Sequence, residues 1–265
     1  KNGVYTNNYK IQSIIVRASS GTSEAPDTFT MTEWVNGELT AEKMSGKDKI
    51  RKFRENLTFE CLIQPTTEEV LGKDHPIKGH WHEKVFKNQN PIVLELGCGK
   101  GEYTIALSQR YPDKNFIGVD IKGARLWKGA KYATENALPN VAFLRTRIEF
   151  ITSLFAENEV SEIWVTFADP QPNKPKKRLT SHQFLAKYKT FLKPDGIIHL
   201  KTDSILLHES TLEVIREGGH KLLEANNDIY APESHVAEEI TSIKTFYESQ
   251  FLAKGMPITY LKFVL

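Results

Sequence analysis

The chain has 265 residues, which is enough for one large domain or two small ones. It has no apolar run of about 18 residues that could span a bilayer, so we expect no membrane partner, and its formal net charge of +2 neither requires nor excludes nucleic acid. Two cysteines, Cys61 and Cys98, are too few for a disulfide framework or a zinc site, which favours a cytoplasmic protein.

The first 90 residues precede the regular alternation of strands and helices. Residues 1–45 are rich in Ser, Thr, Asn and Gly, and only residues 11–16 resemble a strand, so we interpret them as an N-terminal extension of unassigned role. Residues 46–90 begin with a basic run and continue with Pro and His, which indicates a basic arm leading into the core. His80 and His82 in this arm lack a convincing third ligand, and we predict no metal site.

From residue 91 to 265 apolar strands alternate with helices. The predicted strands are 92–96, 116–120, 141–144, 163–167, 197–200 and 258–265. The predicted helices are 102–110, 124–136, 183–192 and 205–217. This alternation predicts an α/β core domain with a Rossmann-like, doubly wound, mostly parallel seven-stranded sheet and helices on both faces.

The first predicted strand ends in a glycine-rich turn, Glu95-Leu96-Gly97-Cys98-Gly99-Lys100-Gly101. Glycines permit a tight turn and close approach of a ligand, and the following helix offers free N–H groups. The spacing differs from the dinucleotide pattern G-x-G-x-x-G, and no P-loop Lys-Ser or Lys-Thr pair follows the glycines. An acid on the strand, Glu95, would repel a diphosphate, whereas it suits a cationic ligand such as S-adenosylmethionine.

The second predicted strand ends in Asp120, which a doubly wound sheet places beside the glycine turn at its switch point. A carboxylate there can accept hydrogen bonds from both hydroxyls of a ribose. The alternative is that Gly97, Gly99 and Gly101 form only a turn and that Asp120 caps the next helix. The combination of strand, turn, helix, strand and acid favours the cofactor site.

The strand at 163–167 runs into Ala168-Asp169-Pro170-Gln171-Pro172, so Asp169 should face the same crevice. A basic tract follows, which fits a polyanionic substrate, and its members are Lys174, Lys176, Lys177 and Arg178. If the base that is methylated is a guanine, its N7 atom is nucleophilic without losing a proton. Methyl transfer then depends mainly on holding N7 in line with the methyl group. Asp169 and Asp203 could accept hydrogen bonds from guanine N–H groups, although Asp203 could instead cap the helix that starts at 205.

Five motifs together resemble one family. They are Leu94-Glu95-Leu96-Gly97-Cys98-Gly99-Lys100-Gly101, Phe116-Ile117-Gly118-Val119-Asp120, Thr166-Phe167-Ala168-Asp169-Pro170, Lys201-Thr202-Asp203 and Lys244-Thr245-Phe246-Tyr247-Glu248. From about residue 46 to its end, the chain resembles the bacterial tRNA (guanine-N7-)-methyltransferases, which are class I S-adenosylmethionine-dependent enzymes. The resemblance implies methylation of a guanine in the tRNA variable loop.

The resemblance also implies roles for particular residues. The implied cofactor-binding residues are Glu95, Gly97, Gly99, Asp120, Arg147 and Asp169. Of these, Asp169 is also the implied catalytic residue, and the adenine contact falls at Arg147 or at a backbone amide near Arg147 or Ile148. The implied substrate-binding residues are Lys174, Asp203, Thr245, Phe246, Tyr247 and Glu248. Asn173 occupies the family's lysine spacing, with Lys174 next, and Gln171 stands where the family often has Trp.

Several alternatives stay open at this point. The chain could methylate another RNA site or a protein, or it could be an RNA-binding module with a methyltransferase fold. Phe246 and Tyr247 could both stack on a base, or one could pack in the core. If that segment is extended, Tyr247 shares a face with Thr245, and Phe246 shares the other with Glu248. A monomer and a homodimer fit the sequence equally well.

Overall fold

The computed structural model describes residues 34–35, 38–39 and 44–265. The chain divides into two compact units, residues 1–59 and 60–265. The strand expected at residues 11–16 lies outside the described residues, as does most of the N-terminal extension. The division into extension, basic arm (46–90) and core (91–265) stays a prediction.

The described part of the first unit comprises a short hairpin and a helix. Strand β1 (Trp34–Val35) pairs antiparallel with β2 (Glu38–Leu39), and helix α1 (Met44–Glu55) carries the first basic run. On α1, Asp48 pairs with Arg51 and with Lys52, each at 2.6 Å. Pairs three and four residues apart lie on one helix face and stabilise the helix.

The second unit is built around an eight-stranded sheet. Its strands are β3 (Leu62–Ile63), β4 (Ile92–Leu96), β5 (Asn115–Asp120), β6 (Val141–Arg145), β7 (Val160–Thr166), β8 (Leu192–Thr202), β9 (Lys221–Asn226) and β10 (Thr259–Val264). Their spatial order is β3-β6-β5-β4-β7-β8-β10-β9. Neighbours from β3 to β8 pair in parallel, and β10 is antiparallel to both β8 and β9. The sheet therefore has one strand more than the predicted seven, and the sequence pattern had not located the two edge strands, β3 and β9.

Helices connect these strands. They are α2 (Thr67–Val70), α3 (Glu102–Arg110), α4 (Gly123–Glu135), α5 (His182–Tyr188), α6 (Ile205–Glu217), α7 (Glu238–Ser242) and α8 (Phe246–Ala253). A π-helical turn covers His82–Phe86, and 3₁₀ turns cover Ile148–Ser153 and Pro175–Lys177. Across the described part of the chain, no helix is both long enough and apolar enough to cross a bilayer.

The observed bounds of β4, α3 and α6 equal those predicted from the sequence pattern. Strand β9 was not predicted, because its sequence Lys-Leu-Leu-Glu-Ala-Asn lacks β-branched residues and most of its side chains are exposed. It pairs with β10 alone and so forms an edge of the sheet. A strand with neither face buried shows no alternation of apolar and polar residues.

Alternation along β4 sets the position of the first acid. Ile92, Leu94 and Leu96 belong to one apolar core, and Val93 belongs to another on the opposite face of the sheet. Glu95 follows Val93 by two residues and therefore shares its face. The chain passes from β4 to β5 and β6 and then returns to β7, so the switch point lies between the carboxyl ends of β4 and β7.

Candidate active site

The glycine turn after β4 has a backbone that other residues rarely adopt. The φ angles of Gly97, Gly99 and Gly101 are 78°, 58° and 75°. The N–H of Gly97 donates to the Val119 carbonyl at 2.8 Å, which ties the turn to β5. A Cβ on Gly101 would lie 2.5 Å from the Phe143 ring, whereas one on Gly99 would meet nothing within 4 Å. The turn is therefore packed on one side and open at Gly99.

Glu95 is a buried acid with hydrogen-bond donors on both oxygens. Its Oε2 accepts bonds from the Thr104 N–H at 2.9 Å and from the Thr104 hydroxyl, and its Oε1 accepts one from the Thr166 hydroxyl at 2.6 Å. The carboxyl thus joins the first turn of α3 to the end of β7. Burial raises the pKa of Glu95 to about 7, against the lowering effect of these donors.

Asp120 closes the other side of the glycine turn. Its Oδ2 accepts a bond from the Gly99 N–H at 3.0 Å, and its Oδ1 accepts one from the Lys122 N–H at 2.7 Å. The acid therefore holds the turn and the approach to α4, but it does not cap that helix, whose N-cap residue is Lys122. Burial raises the pKa of the Cys98 thiol between the two acids, and the negative charges of Glu95 and Asp120 add to the effect. This environment favours a positively charged ligand.

Asp169 lies on a loop with strained backbone on either side. Phe167 and Gln171 have φ angles of 49° and 45°, which non-glycine residues rarely adopt. The carboxylate of Asp169 is exposed, and its Oδ1 accepts a bond from the Gln171 N–H at 3.0 Å. The Phe167 N–H donates to the Lys201 carbonyl at 2.9 Å, which ties the loop to β8.

Asp203 directly follows β8, at the strand end next to that of β7. The side chain that caps α6 is Ser204, which accepts a bond from the Leu207 N–H at 3.2 Å, so the interpretation of Asp203 as the cap is wrong. Partial burial raises the pKa of Asp203. Asp169 and Asp203 therefore leave adjacent strands at the same edge of the sheet.

The segment 245–248 begins α8 and is not extended, so the face assignment for an extended segment does not apply. Thr245 and Glu248 form a capping box, in which the Glu248 N–H donates to the Thr245 hydroxyl at 3.2 Å. Phe246 and Tyr247 are 49% and 43% exposed, and Glu248 is fully buried. The two aromatic rings are thus available to a ligand, whereas Glu248 faces the protein interior.

A buried ion pair fixes this segment against the sheet. Lys201, itself fully buried on β8, contacts Glu248 at 2.7 Å and donates to the carbonyls of Ile240 and Ile243. Glu248 also accepts a bond from the Tyr230 hydroxyl at 2.7 Å. Desolvation lowers the pKa of Lys201, and the charge of Glu248 opposes that shift.

One cleft joins the glycine turn to α8. Its walls are formed by Glu95, Gly97, Cys98, Gly99, Lys100, Glu102, Arg125, Thr166, Phe167, Thr245, Phe246 and Tyr247. The Phe246 N–H donates to Glu102 at 2.9 Å, and the Lys100 ammonium lies 4.4 Å from the centre of the Phe246 ring. Predicted cofactor residues and predicted substrate residues therefore meet in a single cleft.

Other predicted residues do not line this cleft: Asp120, Arg147, Asp169, Lys174, Asp203 and Glu248. Arg147 directs its side chain to Glu149 at 3.4 Å, while the neighbouring Thr146 N–H donates to the Asp120 carbonyl at 3.2 Å. The backbone of this segment therefore adjoins Asp120. Lys174 is exposed and precedes the 3₁₀ turn at Pro175–Lys177.

Sequence reasoning missed Thr104 and Thr166, the two residues that hold Glu95. Thr166 could have been found, because it lies two residues after Trp164 on the strand next to β4 and shares the face of Glu95. Thr104 carried no comparable signal. Lys201 carried no local signal either, because its partner Glu248 is 47 residues away and becomes a neighbour only in the fold.

The histidines of the basic arm have protein partners in the structure. The His80 ring lies 3.2 Å from Glu83, and the His82 ring lies 2.9 Å from the Asn90 carbonyl. Within the described ranges, no group of three or more His, Cys, Asp or Glu side chains could hold a metal ion.

Comparison with known proteins places the chain in a family. A family model described as "Putative methyltransferase" matches residues 89–261. A tRNA (guanine-N(7)-)-methyltransferase of Christiangramia forsetii is 56% identical over 222 residues, which covers 83% of this chain and 99% of that protein. The chain belongs to the tRNA (guanine-N(7)-)-methyltransferase family. A relative of the same name from Bacteroides fragilis is 49% identical over 220 residues, which covers 83% of this chain and 86% of that protein.

Solved structures support the fold. The crystal structure of the 16S rRNA methyltransferase KamB matches with a TM-score of 0.55 at 17% sequence identity, and the match covers 74% of this chain and 98% of that chain. At this identity the likeness concerns the fold alone. The predicted α/β doubly wound fold and the resemblance to the family are both confirmed.

Proposed function

We propose that this protein transfers the methyl group of S-adenosylmethionine to N7 of a guanine in the variable loop of tRNA. The observation that carries the proposal is the cleft in which the acid-flanked glycine turn faces the exposed rings of Phe246 and Tyr247. The names of the relatives at 56% and 49% identity support the same reaction.

The residues around the glycine turn fit S-adenosylmethionine. Gly99 leaves open space, and Glu95 and Asp120 supply negative charge on either side of the turn. Glu95, Gly97, Gly99, Asp120 and Asp169 would hold the cofactor, with the Arg147 segment at its adenine. When bound, S-adenosylmethionine supplies a methyl group carried on a positively charged sulfonium.

The acids at the ends of β7 and β8 suit the guanine. Guanine N7 needs no general base, so the protein's task is to hold the base in line for transfer. Asp169 and Asp203 would accept hydrogen bonds from guanine N–H groups, and Asp169 would act as the catalytic residue. Phe246 and Tyr247 would stack on a base, while Lys174 would contact phosphate. Thr245 and Glu248 would act by holding α8 in place.

The proposal also covers the cellular location, the oligomeric state and the tRNA partner of the protein. The cytoplasmic location inferred from the two cysteines stays a prediction, as does a monomeric or homodimeric state. The tRNA partner is proposed from the exposed basic residues after Asp169 together with the names of the relatives.

The test is methyl transfer from labelled S-adenosylmethionine to unmodified tRNA, followed by nucleoside identification by mass spectrometry. We expect 7-methylguanosine as the labelled product, and no product with Asp169→Ala. Asp113→Ala, at the opposite edge of the sheet before β5, is the matched control and should keep wild-type turnover. Label in another nucleoside or in protein would contradict the proposal, as would tRNA binding without cofactor binding in calorimetry.

A further inference from the structure

Arg178 ends the basic tract that follows Asp169, yet it does not share the exposure of its neighbours. It is 7% exposed, whereas Lys174, Lys176 and Lys177 are exposed. A buried guanidinium is unfavourable unless hydrogen bonds replace its water. Across residues 44–265 it forms no ion pair with a carboxylate, so its charge is not used to neutralise an acid.

The guanidinium instead bridges two neutral acceptors on different elements. Its Nε donates to the Pro170 carbonyl at 2.9 Å, and its Nη1 donates to the Ser210 hydroxyl at 2.6 Å. Pro170 is the residue after Asp169, and Ser210 lies on α6, which starts two residues after Asp203. One side chain thus connects the supports of both acids proposed to hold the guanine.

The loop around Asp169 needs such an anchor. Phe167 and Gln171 are both held in the left-handed region, which surrounding contacts must enforce in non-glycine residues. The bond between Gln171 and Asp169 lies within the loop, and so does the bond from the Lys174 N–H to the Gln171 carbonyl at 3.1 Å. The Phe167 N–H holds the start of the loop on β8, and Arg178 holds the part that follows Asp169 on α6 through its bonds to Pro170 and Ser210.

We propose that Arg178 is a positioning residue for methyl transfer, which fixes Asp169 relative to Asp203 through Pro170 and Ser210. This inference rests on the proposed function. Lysine cannot replace it, because an ammonium on a flexible stem lacks the planar fork that reaches both acceptors at once. Misplacement of a reacting pair by about 1 Å lowers a rate by about 100-fold, so loss of the fork should act on the transfer step.

The test measures single-turnover methyl transfer at saturating S-adenosylmethionine and tRNA. We expect Arg178→Ala and Arg178→Lys to slow transfer about 10- to 100-fold, with the KM for tRNA and the Kd for S-adenosylmethionine within about threefold of wild type. Ser210→Ala should slow transfer less and add little to Arg178→Ala. Arg216→Ala removes an exposed arginine of the same helix and should leave the rate unchanged.

Chemical rescue separates positioning from folding. Methylguanidinium should restore much of the rate of Arg178→Ala. As controls, it should leave the rate of wild type unchanged, and an equal concentration of KCl should not restore the rate of the variant. Wild-type rates in both Arg178 variants would overturn the inference. So would a loss of rate that follows a loss of folded protein by circular dichroism and is not rescued. If wild type makes no 7-methylguanosine, the proposed function itself fails, and the role of Arg178 fails with it.

Discussion

Glu95 combines two requirements that oppose each other at neutral pH. It must be charged to attract a cation, yet burial raises its pKa to about 7 from an ordinary value of 4.5. Thr104 and Thr166 provide donors that favour the charged form without offsetting burial completely. A cationic ligand beside Glu95 would lower this pKa and so release a proton when it binds.

The raised pKa predicts a stability that depends on pH in a particular direction. Between pH 4.5 and about 7 the folded protein binds more protons at Glu95 than the unfolded chain does. Protonated Glu95 therefore adds to the free energy of unfolding in full below pH 4.5, and this addition is lost as pH rises through 7. The loss amounts to about 1 to 3 kcal/mol. Urea denaturation of the ligand-free protein at pH 5.5 and 8 measures it.

Glu95→Gln is the matched variant, because it keeps the shape of the side chain but cannot titrate. We expect the difference in unfolding free energy between the two pH values to be smaller in this variant by that amount. Equal differences in the variant and in wild type would mean that Glu95 does not titrate in this range.

Among the elements, α8 depends on a partner distant in sequence. Lys201 on β8 and Glu248 on α8 form a fully buried pair, which leaves Phe246 and Tyr247 at the surface of the cleft. Breaking such a pair leaves one buried charge without compensation, which is usually more damaging than removing both charges.

Lys201→Met should therefore destabilise the protein by about 3 to 5 kcal/mol. Adding Glu248→Gln should recover most of that loss, because the amide is neutral and can still accept the bond from the Tyr230 hydroxyl. Phe246→Ala should change the unfolding free energy far less, by about 0.5 to 1 kcal/mol, since about half of the residue is exposed. Urea denaturation of the four proteins tests this order, and a double variant less stable than Lys201→Met would contradict it.

The sequence was most informative where local pattern alone determines an element. Apolar periodicity and glycine stops predicted β4, α3 and α6 to the residue, and the glycine turn with Glu95 predicted one wall of the cleft. The helical start of α8 was also present as the Thr245–Glu248 capping pattern, but the faces of this segment were assigned only for an extended chain.

Long-range contacts account for the rest. The burial of Arg178 and Lys201 has no local signature, because charged residues are almost always exposed. Of their partners, Ser210 and Glu248 are 32 and 47 residues away and become neighbours only in the fold. The basic tract after Asp169 was predicted to form a substrate surface with all four of its residues, but Arg178 is buried and only the three lysines are exposed.

For the whole molecule, the division of the chain makes a prediction about independent folding. Both apolar cores and the cleft lie within the unit of residues 60–265. We expect this segment, expressed alone, to unfold cooperatively and to bind S-adenosylmethionine with a Kd within about threefold of that of the full chain. Calorimetry and thermal denaturation measure both properties. A segment that does not fold, or that folds without binding the cofactor, would show that residues 1–59 are needed for the cofactor site.

The distribution of charge matters more than its sum. The net charge is +2, yet Lys174, Lys176 and Lys177 are exposed together just after Asp169 at the carboxyl edge of the sheet. Each lysine that neutralises a phosphate releases a counterion, so the logarithm of the tRNA affinity should fall with the logarithm of salt concentration. We expect these three lysines to account for a measurable part of this salt dependence.

Replacing Lys174, Lys176 and Lys177 with Gln should reduce the salt slope for tRNA binding by about 2 to 3, at about 0.7 to 0.9 for each phosphate contact. The Kd for S-adenosylmethionine should not change. The matched control replaces Lys189, Lys193 and Lys221, exposed lysines near the amino ends of β8 and β9, and should keep the wild-type slope because these charges lie at the opposite edge. Fluorescence anisotropy with labelled tRNA across a salt series measures the slopes. Equal reductions in both triple variants would mean that tRNA responds to total charge, and the tract would then have no particular role in binding.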